Sequence, residues 1–317
     1  MPIRLKGHFD VKQANSATAS VLIGTLVGMV FFLGGYLLCV GDHKTYGDVM
    51  FILVPFVSGL TIAALVRPAR LVAACCAATC LLSLIILISI GMEGYICCLM
   101  ALPILLLGFV LGGAIGFAVR RHWLDKGANA KRNTTTLLLL CPLLLSTANS
   151  VEKPWRSMQR QEVFEDEIVV PTTPSETWDL LVRMPRMDGP KPFLLWAGLP
   201  IPDECTLDGD ANGALRVCHF NLGVIEQQVT DWQKPTAVAF KITKSTLPGR
   251  RWLTFVDADY QLIPDSAGTK VIRRTTIASR LYPRWYWRPF EAWGVHSEHQ
   301  YVLSSLRTIA ETEAVAQ

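Results

Sequence analysis

Charge is scarce in this sequence. Asp, Glu, Lys and Arg make up 18% of it against 51% hydrophobic residues, and the mean hydropathy is +0.33, which is too apolar for a chain soluble throughout. The scarcity is uneven, because residues 20–41, 49–66, 71–92 and 95–119 contain no charged residue at all. Tryptophan is also nearly missing from the first 150 residues, which hold one, Trp123, of the nine in the chain. Recognisable chemical motifs are lacking too. No nucleophile elbow, glycine-rich phosphate loop, dinucleotide fingerprint or metal-ligand spacing is present, so neither a cofactor nor a metal is expected. The net charge of +4 splits into +6 for residues 1–150 and −2 for residues 151–317, and a surplus confined to the apolar half belongs to membrane topology rather than to nucleic-acid binding.

What is there instead is a set of long apolar runs. A helix crossing a hydrocarbon core of about 30 Å needs about 20 residues, and the four charge-free runs approach or exceed that length without the polar face of a soluble helix. A fifth run, residues 134–148, contains Pro142 and extends only about 22 Å as a helix. It either spans imperfectly or, with Lys131 and Arg132 ahead and Ser146 to Ala148 behind, resembles a secretory signal with a small-residue cleavage site. The organisation expected is a tail at 1–19, a transmembrane region at 20–150 and a soluble domain at 151–317. No Asp, Glu, Lys, Arg or His lies within any of these runs, so they read as an anchor or scaffold and not as a transport path.

Lys and Arg near span ends are retained in the cytoplasm. Arg4, Lys6, Lys12, Arg67, Arg70, Arg120, Arg121, Lys126, Lys131 and Arg132 fall on alternate segments, ten in all, against Lys44 alone on the other face. The expectation is a multi-pass inner-membrane protein of bacterial type, with a cytoplasmic amino terminus and a periplasmic carboxy-terminal domain. If the fifth run lies only at the interface, that domain is cytoplasmic. Gly108, Gly112 and Gly116 form a ridge of small residues at helical spacing, which serves packing within this bundle or, alternatively, a homodimer.

From residue 162 the pattern changes to short alternating runs. Strands are expected at 163–170, 204–207, 214–221, 224–232, 237–244, 252–263 and 269–281, with turns between them rich in Gly, Pro, Asn and Asp. Thr173-Pro174-Ser175-Glu176 starts a helix to Arg183, since Thr can cap, Pro suits the first turn and Glu can reach back. A short helix is expected near 193–197 and a long one at about 286–313. In the strand at 252–263, Trp252, Thr254, Val256, Ala258, Tyr260 and Leu262 share one face; Val238, Phe240 and Ile242 form a matching set.

The order strand, helices, six strands, long helix resembles the START-like or SRPBCC superfamily, which includes polyketide cyclase/dehydrase and lipid-transport domains. Local patterns add to it: Val170-Pro-x-x-Pro-Ser-Glu-x-Trp-Asp-Leu-Leu181, and Gly213-Ala-x-Arg-x-x-x-Phe-x-x-Gly-x-x-Glu leading to Trp232. The resemblance covers residues 161–310 and implies an α+β helix-grip fold, a curved antiparallel sheet of about seven strands closed by the terminal helix over an apolar cavity. Trp178, Phe220, Val238, Phe240, Ile242, Trp252, Val256, Tyr260 and Trp293 are the candidates to line that cavity; a filled core is the bland account of each.

Seven of the nine cysteines lie in apolar runs, where Cys behaves as a small hydrophobe. Cys205 and Cys218 instead flank a hairpin turn symmetrically, within cross-strand reach of a disulfide if the register is regular; two reduced thiols are the alternative. His296-Ser297-Glu298-His299 puts two imidazoles on neighbouring helix positions without a third ligand nearby in sequence, which favours a solvated face over a zinc site. Arg273, Arg274, Arg280, Arg284 and Arg288 surround Tyr282 to Trp287, either a solvated strand end or a patch that meets lipid headgroups. The function expected is binding of a hydrophobic or lipid-like ligand, with membrane lipid as the surrounding partner. A cyclase- or dehydratase-type enzyme and a non-catalytic interaction module with a filled core are the alternatives.

Overall fold

The computed structural model describes residues 11–41, 46–124, 130–156 and 159–316. Arg4, Lys6, Lys44 and Lys126, used above for orientation, lie outside these residues, as does the first part of the 1–19 tail. The chain forms two compact units, one of residues 1–92 with 98–157 and the other of residues 93–97 with 158–317.

The first unit is helical. Helix α1 (Val11–Val40) is followed by a π-helical turn (Val49–Leu53) that runs into α2 (Val54–Leu65), then by α3 (Ala69–Ser89), α4 (Tyr95–Val119) with a π-helical turn Arg120–Leu124, and α5 (Ala130–Arg156). Among the described residues, four stretches are long and apolar enough to cross a membrane: Thr18–Val40, Ala69–Ser89, Tyr95–Trp123 and Arg132–Trp155. The lengths depart from expectation in two places. The fifth run belongs to a helix long enough to span, whereas Val49–Leu65 is the short one, about 26 Å at 1.5 Å per residue. Helix α5 also carries the boundary past residue 150. The polar stretch near its end does not break it, because Thr147 and Ser150 donate their hydroxyls back to Leu143 O and Ser146 O one turn earlier, which satisfies them inside the helix.

The glycine ridge of α4 is used within the chain. A Cβ at Gly108 would lie 2.6 Å from Pro55 Cγ, and one at Gly116 would lie 2.8 Å from Leu60 O. The backbones of α2 and α4 therefore approach as closely as small residues permit, which is the packing-within-the-bundle use of that ridge. Two charged groups also enter this unit as helix caps. Arg120, expected as a loop charge, is buried and donates to Ala63 O, Val66 O and Arg67 O, the orphan carbonyls at the end of α2. Glu152, on α5, accepts from the Asp48 and Val49 N–H groups, the orphan donors at the start of that apolar segment.

The second unit is α+β. Strands β1 (Arg160–Val170), β2 (Pro202–Asp208), β3 (Leu215–Phe220), β4 (Gly223–Gln233), β5 (Ala237–Ser245), β6 (Leu253–Asp265) and β7 (Gly268–Ser279) form one antiparallel sheet in the order β1-β7-β6-β5-β4-β3-β2. Helices α6 (Pro174–Arg183) and α7 (Phe193–Trp196) lie between β1 and β2, and α8 (Arg284–Ala316) closes the chain. Thr173 caps α6 as its sequence dictates: its hydroxyl accepts from the Glu176 N–H, and the Glu176 carboxylate accepts from the Thr173 N–H. The curved sheet and the long terminal helix against it make the helix-grip architecture. Its core joins Trp178, Leu181 and Val182 of α6, Val229, Val238, Phe240, Tyr260, Leu262 and Val271 of the sheet, and Val302 and Leu306 of α8.

Candidate functional site

Strand alternation places the site. In β7 every second residue, Thr269, Val271, Arg273, Thr275 and Ile277, is buried, so one arginine stands in an otherwise uncharged inward row. In β3 the inward row includes Arg216 and Cys218. Helix α8 crosses this concave face with Glu298, His299 and Val302 turned toward it, and a cavity of about 40 Å³ remains. That is room for roughly three waters at about 10–15 Å³ each, and not for a lipid chain. Its apolar walls include Phe220, Ile225, Ile242, Phe255 and Val302; its polar ones are Arg216, Gln227, Tyr260, Arg273, Thr275 and Glu298.

Both guanidiniums are buried, at 3% exposure for Arg216 and 7% for Arg273. Arg216 donates to Gln227 Oε1 and Leu181 O, each at 3.2 Å, and lies 4.7 Å from the centroid of the Phe240 ring. Arg273 packs over Tyr260 at 5.4 Å and reaches the Glu298 carboxylate at 2.8 Å. Arg216 Nε and Arg273 Nε and Nη1 have no hydrogen-bond partner among the described residues. Burial pushes the Arg216 guanidinium below the usual arginine range, against the opposing pull of Tyr260. Burial acts in the same direction on Arg273, but the Glu298 charge and hydrogen bond, with the pull of Tyr260 and Asp166, together outweigh it and raise that group. A buried cation with no carboxylate hydrogen-bonded to it is an unusual and costly feature.

Beside the cavity wall lies a second cluster. Asp166 of β1 accepts at Oδ2 from Nδ1 of both His296 and His299, each at 2.7 Å, and His299 Nε2 sits 2.7 Å from Thr275 Oγ1. His299 is completely buried, whereas His296 and Asp166 reach solvent. Burial, with the nearby Arg273 charge, lowers the His299 pKa and keeps the ring neutral at pH 7. Burial alone would raise Asp166, but the hydrogen bonds from His299 and His296 hold it below the usual carboxylate range. The solvated-face reading of residues 296–299 is thus corrected: this turn of α8 packs onto the sheet, and its missing third partner comes from β1, some 130 residues away in the chain.

The nine cavity candidates separate. Phe220, Ile242 and Tyr260 line the cavity. Trp178, Val238 and Phe240 are buried in the adjoining core, Trp178 edge-on to Trp232 at 5.0 Å and Phe240 beneath Arg216. Val256 is displaced by a register shift between Phe255 and Asp257, a bulge that breaks the period of two and brings Phe255 to the cavity instead. Trp252 packs against Trp287 at 6.2 Å, away from the cavity walls. Trp293 is 46% exposed and stacks on Phe193 of α7 at 6.0 Å. Cys205 and Cys218 face each other in register and their sulfurs are joined as a disulfide at the cavity wall. The supposed basic patch divides: Arg273 is internal, Arg274 pairs with Glu165, and Arg284 and Arg288 both pair with Glu162. What residue-by-residue reading missed was Arg216, Arg273 and Glu298; the alternation through Thr269, Val271, Thr275 and Ile277 was the signal for Arg273.

No family model matches this sequence, and no curated protein sequence matches it. Solved structures do. A protein from Chromobacterium violaceum is 12% identical, with 47% of this chain and 96% of that one covered at a TM-score of 0.34. Ara h 8.0201 is 12% identical over 48% of this chain and 99% of its own, at a TM-score of 0.35. Norcoclaurine synthase from Thalictrum flavum, solved with dopamine and hydroxybenzaldehyde, is 11% identical over 48% of this chain and 88% of its own, at a TM-score of 0.31.

Proposed function

We propose that the second unit is a binding module for a small amphipathic organic acid, carried by a membrane-embedded helical unit, and that the acid group sits between Arg216 and Arg273. The observation behind this reading is the pair of buried guanidiniums that line one cavity, with Glu298 as the carboxylate that reaches one of them. A ligand carboxylate supplies the missing counter-charge and accepts from Arg216 Nε and Arg273 Nε and Nη1. Phe220, Ile225, Ile242 and Phe255 then suit the adjoining hydrocarbon. The cavity of about 40 Å³ takes the head of such a molecule, and a longer tail leaves it toward solvent. This narrows the expectation of a hydrophobic or lipid-like ligand to one that carries an acid group.

The test is calorimetric titration of the detergent-solubilised full chain with octanoate, with octyl phosphate and with octanol. Binding of the carboxylate at least ten times tighter than the alcohol, lost in Arg216→Met, supports the reading. Equal binding of acid and alcohol, or binding unchanged in Arg216→Met, overturns it; tighter binding of the phosphate reassigns the acid group. Catalysis by a cyclase- or dehydratase-type route is the second reading, and it is favoured by the carboxylate of Glu298 standing in the cavity wall. It requires that a bound acid be recovered chemically changed, and changed more slowly by Glu298→Gln.

A further inference from the structure

Asp166, His296 and His299 bring three metal-ligating atoms together, all within 4.8 Å of one another. Two of them are imidazole nitrogens from successive turns of α8 and the third is a carboxylate oxygen from β1. We propose that these residues form a binding site for a divalent first-row transition metal of the zinc or iron class. The donor set decides the class: paired imidazoles suit these metals, while magnesium and calcium take oxygen ligands almost throughout.

The geometry needs little change. Metal–nitrogen distances of about 2.0–2.1 Å and metal–oxygen distances of about 2.0–2.2 Å place neighbouring tetrahedral donors about 3.3 Å apart, against 2.7 Å for each Nδ1 to Asp166 Oδ2 here. Asp166 and His296 are partly solvent-exposed, at 22% and 38% of their side chains, so they have space to move apart by the remaining half ångström or so, and water can complete the coordination. His299 is fixed by burial, and its other ring nitrogen, Nε2, is met by Thr275 Oγ1 at 2.7 Å. That partner matters for the proton. In the metal-free arrangement Nδ1–H of each ring donates to Asp166; when Nδ1 binds a metal the ring proton resides on Nε2, and the Thr275 hydroxyl accepts as readily as it donates. The Arg273 charge, which acts on His299, is offset by Glu298 at 2.8 Å, which limits its repulsion of the incoming ion.

This site is separate from the acid-binding arginines, so the two readings fail independently. The full chain in detergent, stripped with a chelator, is to be titrated with zinc(II) by calorimetry and with cobalt(II) by visible absorption. Elemental analysis then gives the stoichiometry. One equivalent is expected, with cobalt absorption of four- or five-coordinate intensity. Affinity should drop at least a hundredfold in Asp166→Ala and His299→Ala, and at least tenfold in His296→Ala, whose exposed position makes it the variant most compatible with folding. His219→Ala, on the exposed face of β3, should bind normally. Absence of a stoichiometric site in the unaltered chain, or equal binding by His296→Ala and His219→Ala, overturns the proposal.

Discussion

Replacing Arg216 by Met removes two hydrogen bonds, to Gln227 Oε1 and Leu181 O, but also removes a desolvated cation. Those effects oppose each other, and buried ions exchanged for apolar residues of similar volume are often close to neutral. Arg216→Met is therefore expected to change the unfolding free energy by no more than about 1 kcal/mol while abolishing acid binding. Glu298→Gln differs in kind, because it leaves the buried Arg273 without its 2.8 Å partner; a loss of about 3 kcal/mol is expected. Denaturant unfolding of both variants measures the contrast, and a larger loss in Arg216→Met contradicts the charge assignment. Asp259 supplies a pH-dependent case at the sheet surface. Its carboxyl is raised above the usual range by partial burial, with Asp257 and Glu165 adding to the effect and Arg274, 3.8 Å away, opposing it. A raised folded pKa means that the native state holds the proton more tightly than the unfolded chain, so this contribution is present at low pH and lost as pH rises through the carboxylate range. Asp259→Asn should thus raise the melting temperature by about 1–2 °C at pH 7, with the gain fading near pH 3 in parallel melts.

Among the elements, β2 and β3 carry the disulfide between Cys205 and Cys218, thirteen residues apart. Cross-linking a loop of that length restricts the unfolded chain by about 3 kcal/mol in the entropy account. Cys205→Ser with Cys218→Ser should lower the unfolding free energy of the oxidised protein by about 2–3 kcal/mol, and the same variant should differ little from the unaltered chain under reductant. This hairpin was legible in the sequence because its turn residues fix the register and the cysteines stand symmetrically about it. Helix α6 was equally legible, since every part of its cap is local. The inward face of β6 was readable only as far as the bulge at Phe255 and Asp257: one inserted residue exchanges the two faces, and nothing in the alternation of that strand announces it. The triad of Asp166, His296 and His299 lay beyond reach for another reason. One member comes from the first strand and two from the last helix, and their meeting follows from sheet order, with β1 placed beside β7 and beneath α8. The paired charges of Glu162 with Arg284 and Arg288 were hidden in the same way.

For the whole molecule, the compartment of the second unit depends on how many apolar segments cross the bilayer, and the short segment Val49–Leu65 decides the parity. If it failed to cross, Lys44, Arg67 and Arg70 would share one loop on the outer face. Arg120, Arg121, Lys126, Lys131 and Arg132 would join them there, which puts eight basic residues outside and only Arg4, Lys6 and Lys12 inside. That reverses the retention of basic loops in the cytoplasm. With all five segments crossing, the same residues divide ten inside to one outside. The structure of the segment agrees with insertion: its ends are capped by Glu152 and Arg120, so its terminal backbone groups are satisfied without water, and a mismatch of a few ångströms is tolerated at modest cost. The expected topology has the carboxy terminus outside the cytoplasm. A reporter fused after Gln317 that is active only in the cytoplasm should stay silent, one active only outside should respond, and Cys205 and Cys218 should resist thiol labelling until reduced. Adding two lysines beside Lys44 should lower the outside signal by drawing that loop inward, because it weakens the asymmetry at the segment where parity is decided; an unchanged signal with strong cytoplasmic activity would assign the second unit to the cytoplasm instead.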